Sequence, residues 1–394
     1  MSSIEQRLAE LEAAGLRRCT RLVEGPQGPH VLLDGQPVLL LCSNNYLGLA
    51  DHPRVREAAA EAALTYGVGA GASRLVSGTM EVHRELEARL AAFKRTSSGV
   101  LFGAGYLANV GVISALAGAG QVVFSDELNH ASIIDGCRLS RASVFVYRHR
   151  DLEHLEWGMA QAAGRGALVV SDSVFSMDGD VAPLAGIVSL ARAHGVRVVV
   201  DEAHATGTYG DGGRGVVAAL GLTAEVDVIV GTLGKALGSF GAFAACSREI
   251  AELLFNTARS LIFSTAPAVP SVAAAGAALS LLEERPGLVS DLSRLAGVLR
   301  TGLADEGFDV SVSTTQIVPV VIGSPEQAMA VCELCLERGV FAQAIRPPTV
   351  PEGTSRLRLS VMATHTEQEL RDAARVIGAA ARECGVAPGS QVLA

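Results

Sequence analysis

Val198-Val-Val-Asp201-Glu202-Ala203-His204-Ala-Thr-Gly, followed by Val228-Ile-Val-Gly231-Thr232-Leu233-Gly234-Lys235-Ala-Leu-Gly238, is the stretch that decides how this chain is read. Both segments begin as short β-branched apolar runs, the mark of strands buried on both faces of a sheet. The first run ends in a carboxylate and, three residues later, an imidazole. The second ends in a lysine flanked by glycines. In open parallel sheets the chemistry gathers at the carboxyl ends of the strands. A carboxylate and a lysine placed there are what a pyridine aldehyde cofactor requires. The lysine supplies an imine nitrogen, and the carboxylate keeps the ring nitrogen protonated so that the ring withdraws electrons. Lys235 is therefore expected to carry pyridoxal 5′-phosphate (PLP) as a Schiff base, with Asp201 as partner of the ring nitrogen.

Working outward, short β-rich runs alternate with helical stretches: Val100–Phe102, Gln121–Phe124, Val144–Tyr147, Ala167–Ser171, Arg197–Val200, Val226–Val230 and Ala242–Ala245. The alternation predicts an α/β domain with a mostly parallel sheet covered on both faces. Two rival motif readings arise. Asp-Glu-Ala-His with a Gly-Lys pair suggests nucleotide hydrolysis. However, Ala236 follows the lysine where a phosphate loop needs Ser or Thr, and the loop follows the acidic box instead of preceding it. Gly103-Ala-Gly105-Tyr106-Leu-Ala108, with Asp126 closing the next strand, fits a dinucleotide turn and by itself points to a nicotinamide oxidoreductase. Backbone N–H groups at a helix start hold any phosphate, that of PLP included. The Lys235–Asp201 pair favours PLP.

With 394 residues the chain predicts more than one domain. The expected division is an N-terminal helix and strand segment over 1–45, a large PLP-binding domain over 46–285 and a small C-terminal α+β domain over 286–394. In the last part, Leu288–Glu306, Pro325–Arg338 and a segment from Glu367 read as helices. Asp309–Val312, Ile317–Ile322 and Arg356–Val361 read as strands. The 49% hydrophobic and 19% charged composition, without a long apolar run, predicts a globular chain with no membrane span. The first residues form an amphipathic helical pattern without a secretion signal, so the expected compartment is the cytoplasm. A net charge of −9 argues against a general nucleic-acid binder. Seven scattered cysteines suit a reducing compartment, and Cys332-Glu-Leu-Cys335 reads as core thiols with no metal site.

As a set, these motifs resemble the α-oxoamine synthases, a family of fold-type-I PLP enzymes. The resemblance extends through Leu41-Cys-Ser-Asn44-Asn-Tyr-Leu-Gly-Leu, Gly67–Gly78, Asn129-His130-Ala-Ser, Val174-Phe-Ser176-Met-Asp-Gly-Asp, Ile262-Phe-Ser264-Thr265 and Ala344-Ile-Arg346-Pro-Pro-Thr349. It implies that Lys235 holds the imine and later acts as base, that Asp201 pairs with the ring nitrogen, that His204 bonds the phenolic oxygen, and that His130 stacks on the ring. It further places Gly105, Tyr106, Ser176 and Thr232 around the cofactor, with Ser264 and Thr265 reaching the phosphate of a neighbouring subunit in a homodimer. Asn44 and Arg358 would hold the amino-acid carboxylate, while Thr349 and Arg17 would lie along the acyl-donor path. Arg18 and Arg21 beside Arg17 fit a solvated helix face equally well, and Arg346 and Arg356 fit either ion pairs or the donor's carboxylate. The implied reaction is the decarboxylative condensation of L-alanine with a pimeloyl thioester, on coenzyme A or an acyl carrier protein, as in biotin synthesis. Glycine or serine with another acyl-CoA, as in glycine C-acetyltransferase or 5-aminolevulinate synthase chemistry, is the alternative within the family.

Overall fold

The computed structural model describes residues 3–13 and 16–386, in two compact units. One comprises the described residues up to Asn44, the short Met177–Gly179 piece and those from Asp291 onward. The other comprises Asn45–Ser176 and Asp180–Ser290.

The first unit opens with helix α1 (Ile4–Ala13) and strands β1 (Val23–Glu24), β2 (His30–Leu33) and β3 (Gln36–Leu40). β2 and β3 pair as a hairpin with Leu33 opposite Gln36. Its turn, Asp34-Gly35, has φ of 50° and 80°. Such a turn matches the twist of the strands it joins, and Asp-Gly is suited to it.

The second unit begins with α2 (Pro53–Tyr66) and α3 (Glu81–Lys94) and then alternates: β4 (Ser98–Phe102), α4 (Gly105–Leu116), β5 (Val122–Asp126), α5 (Ala131–Ser140), β6 (Ser143–Tyr147), α6 (Leu152–Gln161), β7 (Gly166–Asp172), α7 (Leu184–His194), β8 (Arg197–Asp201), α8 (Val216–Ala219), β9 (Val228–Thr232) and β10 (Ala242–Cys246). Helices α9 (Arg248–Thr257), α10 (Arg259–Ile262) and α11 (Val269–Glu284) follow. The strands form one sheet in the order β4-β10-β9-β8-β7-β5-β6. From β9 to β6 all neighbours are parallel, whereas β10 runs antiparallel to both β4 and β9. The link explains the exception. Leu233–Gly241 contains no helix and is too short for the crossover that parallel neighbours need. Lys235 thus sits on a hairpin loop. That loop passes so close to the chain that a Cβ on Gly238 (φ +58°) would lie 2.4 Å from the Ala50 nitrogen. β5 and β10 are buried along their whole length; β10 is apolar throughout, while β5 ends in the buried polar pair Ser125 and Asp126. The Ala-rich α11 packs on α2 and α3 of its own chain.

Through α12 (Gly287–Asp305) the chain returns to the first unit, adding β11 (Ile317–Gly323), α13 (Pro325–Glu337), β12 (Val340–Phe341), β13 (Gln343–Ile345), β14 (Ser355–Ser360) and α14 (Glu367–Glu383). β12 joins β3 in parallel, giving the order β1-β2-β3-β12, and β11-β14-β13 form an antiparallel sheet. The expected strand at Asp309–Val312 does not form. The Asp309 carboxylate accepts the Ser311 N–H at 3.0 Å, a local turn that competes with strand pairing. Cys332 and Cys335 are buried on α13, and burial pushes the Cys335 thiol up to about 12. No helix among the described residues is long and apolar enough to cross a membrane.

Candidate active site

The carboxyl ends of β7, β8 and β9 in the second unit bring together the residues singled out by sequence. Asp201, the last residue of β8, is 4% exposed. Its Oδ2 accepts from Asn109 Nδ2 at 2.6 Å and its Oδ1 from the Ala203 N–H at 2.7 Å, so each oxygen is oriented by one donor. The turn after β8 brings His204 to Lys235, with Nε2 and Nζ 2.7 Å apart, while His204 Nδ1 lies 2.7 Å from the Tyr46 hydroxyl. An ammonium at Lys235 has only protons to give. It therefore donates to His204 Nε2, and Nδ1–H donates to the Tyr46 oxygen.

His130 is the N-cap of α5, its Nδ1 3.3 Å from the Ser132 N–H. Its own N–H donates to Asp172 Oδ2 at 2.8 Å. Burial, opposed by Asp201 and aided by Lys235, holds the His130 imidazole below its usual range. Asp172 is the register partner of Asp201 on β7. Burial and the Asp201 charge raise its carboxyl well above the ordinary carboxylate range.

Gly105 opens α4. The N-cap, Ala104, supplies no side-chain hydrogen bond, and nothing lies within 4 Å of where a Gly105 Cβ would be. An uncapped helix start with open space above it suits a phosphate. Tyr106, next on α4, is half exposed and donates to Asp135. Thr232 Oγ1 donates to the Gly241 carbonyl and accepts the Gly234 N–H, both at 3.1 Å, which shapes the lysine loop. Ser176 and Ser264 are partly buried, and Thr265 forms an isolated bridge with Ser73. The donor set suits PLP: a primary amine, an oriented buried carboxylate, an imidazole beside the amine and an open helix N-terminus.

Asn44 and Arg358 belong to the first unit, where Arg358 Nη2 donates to Asn44 Oδ1 at 3.3 Å. Arg356, two residues before it on β14, is buried and paired with Asp178. Arg17 and Thr349 line one cavity of about 1330 Å³, together with Arg18, Arg21 and Arg346. Arg17 is bonded to Glu12 at 2.5 Å and Arg21 to Glu333.

Asp126 does not serve as a ribose ligand. It is 2% exposed; Oδ1 accepts Leu128 N–H and faces His149 Nδ1 at 2.9 Å, and Oδ2 accepts Arg150 N–H at 3.0 Å. The carboxylate that a nicotinamide site requires is therefore committed internally. Sequence reading gave no role to Tyr46, Asn109, Ser132 or Asp172. Tyr46 and Ser132 stand inside motifs named above and Asn109 directly follows the Gly103–Ala108 turn, which was the available signal. Asp172 closes an apolar strand as Asp201 does.

Residues 36–377 match the family model for aminotransferase class I and II, most of the chain. The chain belongs to the class I and II aminotransferase family. Among curated members, the 8-amino-7-oxononanoate synthase of Geobacter sulfurreducens is 51% identical over 98% of this chain and 99% of its own. That of Citrifermentans bemidjiense is 50% identical over 98% and 100%. Among solved structures, a serine palmitoyltransferase variant from S. paucimobilis with a bound PLP–myriocin aldimine superposes with a TM-score of 0.92 at 34% identity, covering 97% of each chain. The fold of this aminotransferase-family chain is that of the fold-type-I PLP transferases.

Proposed function

We infer that this chain uses PLP to condense L-alanine with a pimeloyl thioester, releasing carbon dioxide and the free thiol and forming 8-amino-7-oxononanoate for biotin synthesis. The observation that carries the reaction class is Lys235 beside His204 at the head of the sheet, with buried Asp201 on the preceding strand. The substrate pair rests on the near-full-length identity of about 50% to 8-amino-7-oxononanoate synthases.

When bound, PLP supplies an imine and an electron-withdrawing ring that stabilises negative charge at the α-carbon of the amino acid. Asp201, oriented by Asn109 and the Ala203 N–H, keeps the proton on the ring nitrogen. His204, anchored by Tyr46, positions Lys235 Nζ and serves the phenolic oxygen. His130 would stack on the ring, and Gly105, Tyr106, Ser176 and Thr232 would complete the pocket, with the uncapped start of α4 available to the phosphate. Asn44 and Arg358 receive the carboxylate of L-alanine. Lys235 Nζ, freed by the amino acid, takes the α-proton. The α-carbon then bonds to the thioester carbonyl carbon as the C–S bond breaks. Loss of the alanine carboxyl as carbon dioxide and return of a proton to the α-carbon give the amino ketone. Thr349 and Arg17 line the acyl-donor path, with coenzyme A or an acyl carrier protein as the thiol.

The protein acts as a homodimer, with Ser264 and Thr265 completing the partner's phosphate site. Exposed Leu64, Val68, Val76, Phe240 and Phe263 on the large unit support such an interface. The site chemistry is expected to operate in the cytoplasm.

A second reading, serine with a long acyl thioester, is favoured by the structural similarity to serine palmitoyltransferase, but at 34% identity against 51%. Titrating the visible cofactor band with L-alanine, glycine and L-serine, each followed by pimeloyl-CoA, separates them. Tight response to alanine and turnover with pimeloyl-CoA are expected. Tight response to serine with no pimeloyl-CoA turnover would overturn the substrate assignment.

A further inference from the structure

Two side chains with no assigned role join Asp201 to His130. Asn109 Nδ2 lies 2.6 Å from Asp201 Oδ2 and 2.9 Å from Ser132 Oγ, and Ser132 Oγ lies 2.7 Å from His130 Nδ1. Asn109 is 1% exposed and Ser132 0%, so water does not substitute for these partners.

Proton directions along this chain follow from what each group can do. An ionised carboxylate accepts only, so the Asn109 amide must present its nitrogen to Asp201. Its two protons then go to Asp201 and to Ser132 Oγ. Accordingly, Asn109 Oδ1 makes no hydrogen bond among the described residues. With one lone pair of Ser132 Oγ occupied by Asn109, its own proton points to His130 Nδ1. The Ser132 backbone N–H also aims at Nδ1, at 3.3 Å. A proton on Nδ1 would confront that N–H, whereas a bare Nδ1 accepts from both donors.

We propose that Asn109 and Ser132 are positioning residues that lock His130 as a neutral imidazole protonated on Nε2, its orientation tied to the carboxylate of Asp201. The pull of burial away from the charged imidazolium acts in the same direction. His130 thereby presents one donor, Nε2–H, fixed relative to Asp201. A change at the Asp201 carboxylate is felt at His130 through three consecutive side-chain hydrogen bonds.

This assignment concerns the resting protein and is read without turnover, so it can fail while the proposed reaction stands, and the reverse. The test is nitrogen NMR of the purified enzyme labelled with 15N in its histidine side chains, with His130 identified by the signals lost in His130→Asn. The wild type is expected to show a pyrrole-type shift at Nε2 and a pyridine-type shift at Nδ1, unchanged across neutral pH. Ser132→Ala should move both resonances toward a tautomer mixture, and Ser132→Thr should restore them. Asn109→Ala, which does not touch the imidazole, should shift the same pair in the same direction, to a smaller extent. A wild-type Nδ1–H tautomer overturns the proposal without recourse to any variant. Ser132→Ala or Asn109→Ala spectra superimposable on wild type, in proteins whose circular dichroism shows them folded, overturn the relay.

Discussion

Replacing Lys94 with Met should strongly destabilise the large unit, and the structure gives the size. Lys94 Nζ and Glu202 form an ion pair of 2.6 Å in which both side chains are 0% exposed. Nζ also donates to Thr206 Oγ1 at 2.9 Å and to the Arg214 carbonyl at 2.6 Å, while Glu202 Oε1 accepts the Val217 N–H at 2.8 Å. Burial pulls the Lys94 amine below its usual range, and only Glu202 opposes it. Met keeps the volume and removes the charge, leaving Glu202 ionised in an apolar interior. Removing one member of a buried pair costs about 3–5 kcal/mol, and the two lost hydrogen bonds add about 1 kcal/mol each at most. Lys94→Met should therefore lower the unfolding free energy by about 3–7 kcal/mol. Adding Glu202→Gln removes the stranded charge yet keeps an acceptor for Val217, and should restore at least half of that loss. Urea unfolding followed by circular dichroism reads both values, as a midpoint shift multiplied by a common slope. A loss under about 1 kcal/mol in Lys94→Met, or a double variant no more stable than the single one, would refute the reasoning.

Three further outcomes are expected. Lys235→Ala removes the imine nitrogen and the base together, so turnover of L-alanine with pimeloyl-CoA should vanish; near-normal activity in that assay would sink the mechanism. Arg358→Ala should raise the KM for L-alanine about 10- to 100-fold, the worth of one charge-assisted hydrogen bond, and an unchanged KM would remove Arg358 from the carboxylate site. His149 lies 2.9 Å from both Asp126 and Asp180, and although burial lowers its affinity for a proton, hydrogen bonds to the two carboxylates push it up to about 9. Because the folded value is raised above 6.5, its contribution of about 3 kcal/mol is complete below pH 6.5 and lost as pH rises through 9. Thermal melts should show this slope in wild type and lose it in His149→Gln, and parallel profiles would contradict it.

The seven strands of the large sheet were legible because each contains a short apolar run bounded by Gly or polar residues; burial on both faces forces that composition in the inner strands, whereas the edge strand β6 was readable from its β-branched and aromatic residues although it is largely exposed. Asp201, His204 and Lys235 stood out because they break such runs at the strand ends. Asp309–Val312 misled because alternating Val310 and Val312 imitate a strand, while the deciding interaction is a side-chain turn from Asp309. Glu202 read from sequence only as part of an acidic box, and nothing in the sequence singled out Lys94. Their pairing joins segments far apart in the chain, which no local pattern encodes. The same holds for the Asn109–Ser132 link, whose members lie on different helices of the sheet's cover.

The parallel pairing of β3 with β12, which sets Leu39 opposite Val340, has a consequence for biosynthesis. When Leu40 leaves the ribosome, its partner at Phe341 has yet to be translated, and the whole of the seven-stranded sheet emerges in between. Domains fold as units in order of synthesis, so the opening hairpin waits with an unpaired strand edge while the middle of the chain consolidates. An exposed edge is a template for intermolecular pairing. Chains ending before Val340 thus keep the β3 edge without its β12 partner, and the last stretch of translation closes it.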